Sequence, residues 1–162
     1  MIYILKGNIG TGKTTSIFRS LNSLGDVDGI LQPVVSDKRF AYFISKKNLS
    51  ALEADERDED IFEIGKYRFR KSVFELSEKH LLHCLKNETV KIIFDEYGKL
   101  EMQGRGLSVA ADLLVEARRK SSDKHCIFII RSEIVQFFLE RYKLTDLEYQ
   151  FVIAENDGVT IP

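Results

Sequence analysis

The first fifteen residues, MIYILKGNIGTGKTT, constrain this chain more than any other stretch. Ile2, Ile4 and Leu5 make a short apolar strand. It runs into GNIGTGKT, which fits the spacing Gly, four free positions, then Gly-Lys-[Ser/Thr]. The physical reason for that spacing is anion binding. Gly7, Gly10 and Gly12 let the backbone adopt left-handed conformations and approach closely, so that successive N–H groups converge on a phosphate. Lys13 is expected to reach the β- and γ-phosphates and the Thr14 hydroxyl to ligate Mg²⁺. The following helix, with Ile17, Phe18, Leu21 and Leu24 at helical spacing, adds its positive N-terminal end. The phosphate-binding residues are thus expected to be Gly7, Asn8, Ile9, Gly10, Thr11, Gly12, Lys13, Thr14 and Thr15.

The rest of the composition sets bounds. At 162 residues and 44% hydrophobic, the chain suits one well-filled core, a single domain over 1–162. A formal net charge of −1 leaves no broad basic surface for nucleic acid. Cys84 and Cys126 have no metal-like spacing and make no disulfide framework, so both are expected as reduced thiols in a cytoplasmic protein. No basic-then-apolar leader opens the chain, and no apolar run approaches the length needed to cross a bilayer. No protein partner is legible.

Further along, Gly25 stops the first helix, and DVDGILQPVVSDKRFAYFISKKN reads as two strands joined by a tight turn at Ser36-Asp37-Lys38. Pro33 argues for an edge position for the first of them. The acidic run Asp55 to Asp60 reads as a solvated loop tip. IFEIGKYRFR alternates with a phase slip at Gly65-Lys66, which suggests a bulge or a close approach to the backbone. Ser72 and Glu75 form a capping box for a helix carrying Phe74, Leu81, Leu82 and Leu85. His80 and His83 share a face there, near Cys84. With no second cluster to complete four ligands, a structural or solvent-facing role is expected.

VKIIFDEYGKLE is the second chemical stretch. Val90 to Phe94 is a buried-type strand ending in Asp95-Glu96. Ligands gather beyond the carboxyl ends of strands in open α/β sheets, so both acids are expected to face the phosphate loop. Asp95 is the metal ligand in this reading, together with Thr14. Glu96 is the candidate to orient and deprotonate a water attacking the γ-phosphate. Ser108 and Ser132 are expected to cap the two later helices. HCIFII and YQFVIA are the remaining strands, and Asn156-Asp157-Gly158 turns the chain into a short tail. Strands alternating with helices mean an α/β fold, a mostly parallel sheet with helices on both faces, here with a β-hairpin insertion.

With both motifs placed, the chain resembles the small THEP1-type P-loop nucleoside triphosphatases, whose fold is RecA-like. GILQPV, GKYRF, DEYGKLE and FIIRSEIV are similar to that family's segments, and the likeness runs from Met1 to about Ile153. It implies hydrolysis of nucleoside triphosphates with loose base preference and Mg²⁺ as cofactor. It also implies Gly7, Gly12, Lys13 and Thr14 at phosphate and metal, Asp95 at the metal and Glu96 as the catalytic carboxylate. Gly98 and Glu101 match its signature without an evident physical role. By analogy with RecA-like sheets, HCIFII lies between the phosphate-loop strand and the Asp95 strand. Arg131 or Ser132 then senses the γ-phosphate, although Arg131 is equally suited to a surface ion pair. Arg105, in the QGRG loop, is a second candidate arginine. The catalytic set is therefore Lys13, Glu96 and Arg131. Two other readings use the same residues: a small-molecule kinase, and a nucleotide-dependent switch, for which DEYG fits Asp-x-x-Gly but no Asn-Lys-x-Asp motif follows.

Overall fold

The computed structural model describes residues 1–8, 10–87, 89–121, 123–155, 158, 159 and 161. Ile9 of the expected phosphate loop and Asn156-Asp157 of the expected final turn lie outside them. The chain opens with β1 (Ile2–Gly7), α1 (Lys13–Ser20) and β2 (Val27–Leu31), followed by β3 (Val34–Val35), β4 (Lys38–Phe43) and β5 (Asn48–Ala51). A separate hairpin, β6 (Ile61–Ile64) and β7 (Tyr67–Arg70), leads to α2 (Lys71–Lys86) and β8 (Lys91–Tyr97). Then come α3 (Lys99–Met102), α4 (Ser108–Lys120), β9 (His125–Arg131), a 3₁₀ turn over Ser132–Ile134 and α5 (Val135–Tyr142). The chain closes with β10 (Tyr149–Val152), β11 (Ala154–Glu155) and β12 (Gly158–Val159).

The main sheet has the order β10-β1-β9-β8-β2-β4-β3, with β5 beside β4. From β10 to β2 every pairing is parallel; β4 joins β2 antiparallel and begins a hairpin extension. The inner parallel strands β1, β9 and β8 are largely apolar on both faces, as a sheet covered on both sides requires. Alternate residues part cleanly between two cores. Ile2, Ile4, Ile92, Phe94 and Phe128 pack with α2, α4 and α5. Tyr3, Leu5, Ile93, Ile127 and Ile129 pack on the other face with Ile17 of α1 and with Val159 and Ile161 of the C-terminal segment. Gly29 marks a close approach of backbones: a Cβ there would collide with the main chain of Ile93. No described helix is long and apolar enough to cross a membrane.

Several local expectations are corrected. β2 stops at Leu31 and lies between β8 and β4, not at an edge; Pro33 stands in the break before β3, where its missing N–H removes no ladder bond. Gly65-Lys66 is a two-residue hairpin turn, with Ile64 paired to Tyr67, not a bulge. The Ser72 capping box does not form: α2 begins at Lys71, whose N–H donates to Asp60 O at 3.1 Å, so a neighbouring carbonyl does the capping. Ser108 is the first residue of α4 rather than its cap, and Ser132 opens the 3₁₀ turn without a side-chain cap bond. The acidic run is strapped to β7, because Arg70 pairs with Asp55 at 3.0 Å and with Asp58 at 2.9 Å. His80 is buried, with Nε2 2.9 Å from Asp28 Oδ1, while His83 is exposed. The turn over Ser36-Asp37 forms as expected, with Val35 paired to Lys38.

Candidate active site

The phosphate loop joins β1 to α1, and its conformation follows from its glycines. Gly10 and Gly12 take φ of 76° and 77°, the left-handed region that an L side chain resists, and Gly12 is the N-cap of α1. Gly7 is not left-handed; what it supplies is room, since a Cβ there would lie 2.8 Å from Thr11 Oγ1 and 3.2 Å from Lys13 Cδ. Lys13 folds back under the loop and is buried, its Nζ donating to Gly7 O at 2.9 Å and Asn8 O at 2.7 Å. The first intrahelical bond runs from Ser16 N to Gly12 O (2.8 Å). The amides of Lys13, Thr14 and Thr15 therefore have no helical acceptor and point out of the helix end.

β8 brings the acid pair to this loop. Thr14 Oγ1 donates to Asp95 Oδ2 at 2.8 Å, and the Gln32 N–H donates to the same oxygen at 2.8 Å. The Gln32 side chain adds a bond from Nε2 to Asp95 O at 3.3 Å. Asp95 is fully buried, and its Oδ1 has no partner among the described residues. Burial, reinforced by the charge of Glu96, pushes the Asp95 carboxyl up to about 6 against the bonds from Gln32 and Thr14. A buried, unsatisfied carboxylate oxygen beside a hydroxyl is the kind of oxygen donor set that a hard divalent cation takes.

Glu96 sits in a break of regular pairing. The register between β8 and β9 slips between Phe94 and Tyr97, and Glu96 has φ of 60°. A side-chain-bearing residue there costs roughly 1–2 kcal/mol, and bulges of this sort re-aim a side chain. Here the carboxylate is turned between two guanidinium groups, Arg131 Nη2 at 3.4 Å and Arg39 Nη1 at 3.5 Å. Arg131 Nε is buried without a partner among the described residues. Beyond the bulge, Glu101 is buried; its Oε2 accepts from Gly98 N and its Oε1 from Leu107 N, both at 3.0 Å, closing the loop that contains α3.

Of the residues singled out in the sequence, the fold brings Thr14, Asp95, Glu96 and Arg131 into one neighbourhood. It places the Arg105 guanidinium elsewhere, 5.3 Å over the Phe62 ring. Two residues of the site were given no role by the sequence: Gln32, which follows β2 within the GILQPV segment, and Arg39, on β4. Both arrive through the sheet order, β2 lying against β8 and β4 folding back on β2.

A glycine-rich strand–loop–helix unit, with an Asp-Glu pair on a second parallel strand one position removed in the sheet, defines the P-loop nucleotide-binding fold. A family model described as NTPase matches residues 2–160, and the chain belongs to this THEP1-type NTPase family. Its fold is similar to that of THEP1 from the hyperthermophile Aquifex aeolicus (TM-score 0.72, 17% identity, covering 97% of this chain and 91% of that one). It is also similar to the solution structure of a human cancer-related nucleoside triphosphatase (TM-score 0.58, 19% identity, covering 93% of this chain and 86% of that one). No curated protein matches the chain.

Proposed function

We propose that this protein is a Mg²⁺-dependent hydrolase that removes the γ-phosphate of ATP, GTP and other nucleoside triphosphates with loose base preference. The observation that carries this reading is the 2.8 Å bond from Thr14 to Asp95, which ties the phosphate loop to the acid pair. Membership of the NTPase family supports the reaction class, and loose base preference rests on the THEP1-type resemblance. Thr14 Oγ1 and Asp95 Oδ1 are the oxygens that would hold the cation, whose chemistry is to neutralise phosphate oxygens.

The chain's own groups do the rest. Lys13 exchanges the carbonyls of Gly7 and Asn8 for phosphate oxygens, and the amides of Gly10 to Thr15 cradle the polyphosphate. Glu96 orients the attacking water and accepts its proton, while Arg131 fixes the carboxylate and stands where negative charge develops. We place the protein in the cytoplasm, since Cys84 and Cys126 are both free and buried, as suits a reducing compartment.

The test is Glu96→Gln. It is expected to bind ATP with parental affinity and to release phosphate at least about a hundredfold more slowly; release near the parental rate overturns the assignment. Phosphate release from ATP, GTP, CTP and UTP should be comparable with Mg²⁺ and abolished by EDTA. Strong preference for one base overturns the loose specificity.

A further inference from the structure

A cavity of about 490 Å³ opens beside Glu96, a volume in the range of small-molecule sites. Gln32, Glu96 and Arg131 line it, but no described residue from Gly7 to Thr15 does. Its other walls come from the turns between β3 and β4 and between β6 and β7, and from α3. It is therefore a neighbour of the phosphate cradle, not part of it. A triphosphate that presents its γ-phosphate to Glu96 runs its α-phosphate, sugar and base away from that residue, so the nucleotide's own base does not reach this space.

The lining chemistry is specific. Tyr67 is half exposed and stacks on Phe69, with ring centroids 6.1 Å apart and planes 20° apart, presenting an aromatic face. Lys66 stands 5.3 Å over the Tyr67 ring. Neither Lys66 nor Lys99 is paired with an acidic side chain among the described residues, and both are exposed. The acids of the lining are mostly engaged: Glu101 by two amides, Glu53 Oε1 by the Arg39 N–H at 3.2 Å, and Glu96 by its two arginines. Asp37, on an exposed turn, is the remaining one. What an occupant meets is an aromatic wall flanked by two lysines that have no carboxylate partner among the described residues, one of them over the Tyr67 ring.

We propose that this cavity binds a second small molecule, a planar organic anion whose ring stacks on Tyr67 and whose acidic group lies between Lys66 and Lys99. Its occupancy reaches the reaction through Arg39, which lines the cavity and also contacts Glu96. An anion that draws Arg39 toward itself relieves Glu96 of one of its two cationic contacts and leaves the carboxylate freer to accept from water. This coupling rests on the hydrolytic role given to Glu96; the binding itself does not.

The probe is 8-anilinonaphthalene-1-sulfonate, a fluorescent aromatic anion, titrated into the intact protein with and without MgATP. One saturable site is expected, with the same affinity in both conditions. The double variant Lys66→Ala, Tyr67→Ala is expected to weaken binding about tenfold while leaving thermal stability and dye-free phosphate release unchanged. The dye should raise phosphate release by the parent and not by Arg39→Ala. Unchanged dye affinity in the double variant overturns the site, and competitive displacement by ATP shows that the cavity takes the nucleotide's own base instead. Dye binding without any change in turnover overturns the coupling. Should the parent release no phosphate from any triphosphate, the hydrolytic reading fails, while the fluorescence titration still decides the binding site.

Discussion

Thr14 Oγ1 donates to Asp95 Oδ2 at 2.8 Å, a bond between residues 81 positions apart that closes the site. Both groups are expected to serve the same cation, so the hydroxyl matters more than the shape of the side chain. Thr14→Val keeps the shape and removes the donor. Phosphate release should fall on the order of a hundredfold, and leaving Asp95 one donor short should cost about 1–3 kcal/mol of stability. Thr14→Ser, which restores the hydroxyl, should recover most of both. Parallel phosphate-release and thermal-melting measurements check this; equal loss in the two variants would show that packing, not the hydroxyl, is at stake.

Asp95 carries a stability penalty that depends on pH. Burial, with Glu96 second, raises its carboxyl from 3.8 to about 6. The folded chain therefore binds a proton more tightly than the unfolded one. The Asp95 penalty is absent below about pH 4, grows as pH rises toward 6, and is borne in full above that. The gap corresponds to at most about 3 kcal/mol. Asp95→Asn removes the charge and should melt several degrees higher than the parent at pH 7.5, with the advantage gone at pH 4. Its phosphate release should be largely lost. An Asn variant that melts lower at pH 7.5 would mean that the charge is stabilised by its bonds from Thr14 and Gln32.

What could be read in advance was chemistry packed into contiguous residues. The run from Gly7 to Thr14 and the pair Asp95-Glu96 are each short enough that spacing alone implies geometry, and apolar runs such as Ile92 to Phe94 mark strands buried on both faces. The roles of Gln32 and Arg39 are not legible because their nearness to Asp95 and Glu96 is made by strand order, which no local pattern encodes. The turn at Gly65-Lys66 reads in sequence as a bulge or a close approach to the backbone because a two-residue reversal and an inserted residue shift the alternation in the same way. The cap at Ser72 failed because a strand leads directly into the helix: β7 delivers Lys71 to the Asp60 carbonyl, which leaves Ser72 nothing to do.

Glu101 shows its role only in three dimensions. It satisfies the amides of Gly98 and Leu107 from inside the loop that follows β8, and burial, opposed by those amides, raises its carboxyl above the usual range. Glu101→Ala strands one buried and one half-buried donor and should lower stability by about 2–4 kcal/mol. Glu101→Gln retains one carbonyl acceptor and should lose less than half as much. Urea denaturation of the three proteins checks the ranking; an alanine variant as stable as the parent would mean that the loop finds other acceptors.

The pair Asp28–His80 makes a brace away from the acid pair. Asp28 Oδ1 accepts from Gly29 N at 2.7 Å and Ser45 N at 3.1 Å, joining β2 to the segment after β4, while His80 Nε2 at 2.9 Å ties in α2. An ionised carboxylate only accepts, so the imidazole donates from Nε2. Burial works against the charge, but the His80 bond and the Gly29 and Ser45 donors outweigh it and hold the Asp28 carboxyl well below the usual range. The stability this supplies is complete above the unfolded value, near pH 4, and drains away as pH falls toward the folded one. His80→Ala breaks a buried pair and should cost about 3–5 kcal/mol at pH 7, with the difference from the parent narrowing below pH 4 as Asp28 of the unfolded chain takes up a proton. Denaturation curves at pH 7 and pH 3.5 decide it: a gap that is the same at both would show that the lost imidazole acts by its volume against Phe43, and not by its bond to Asp28.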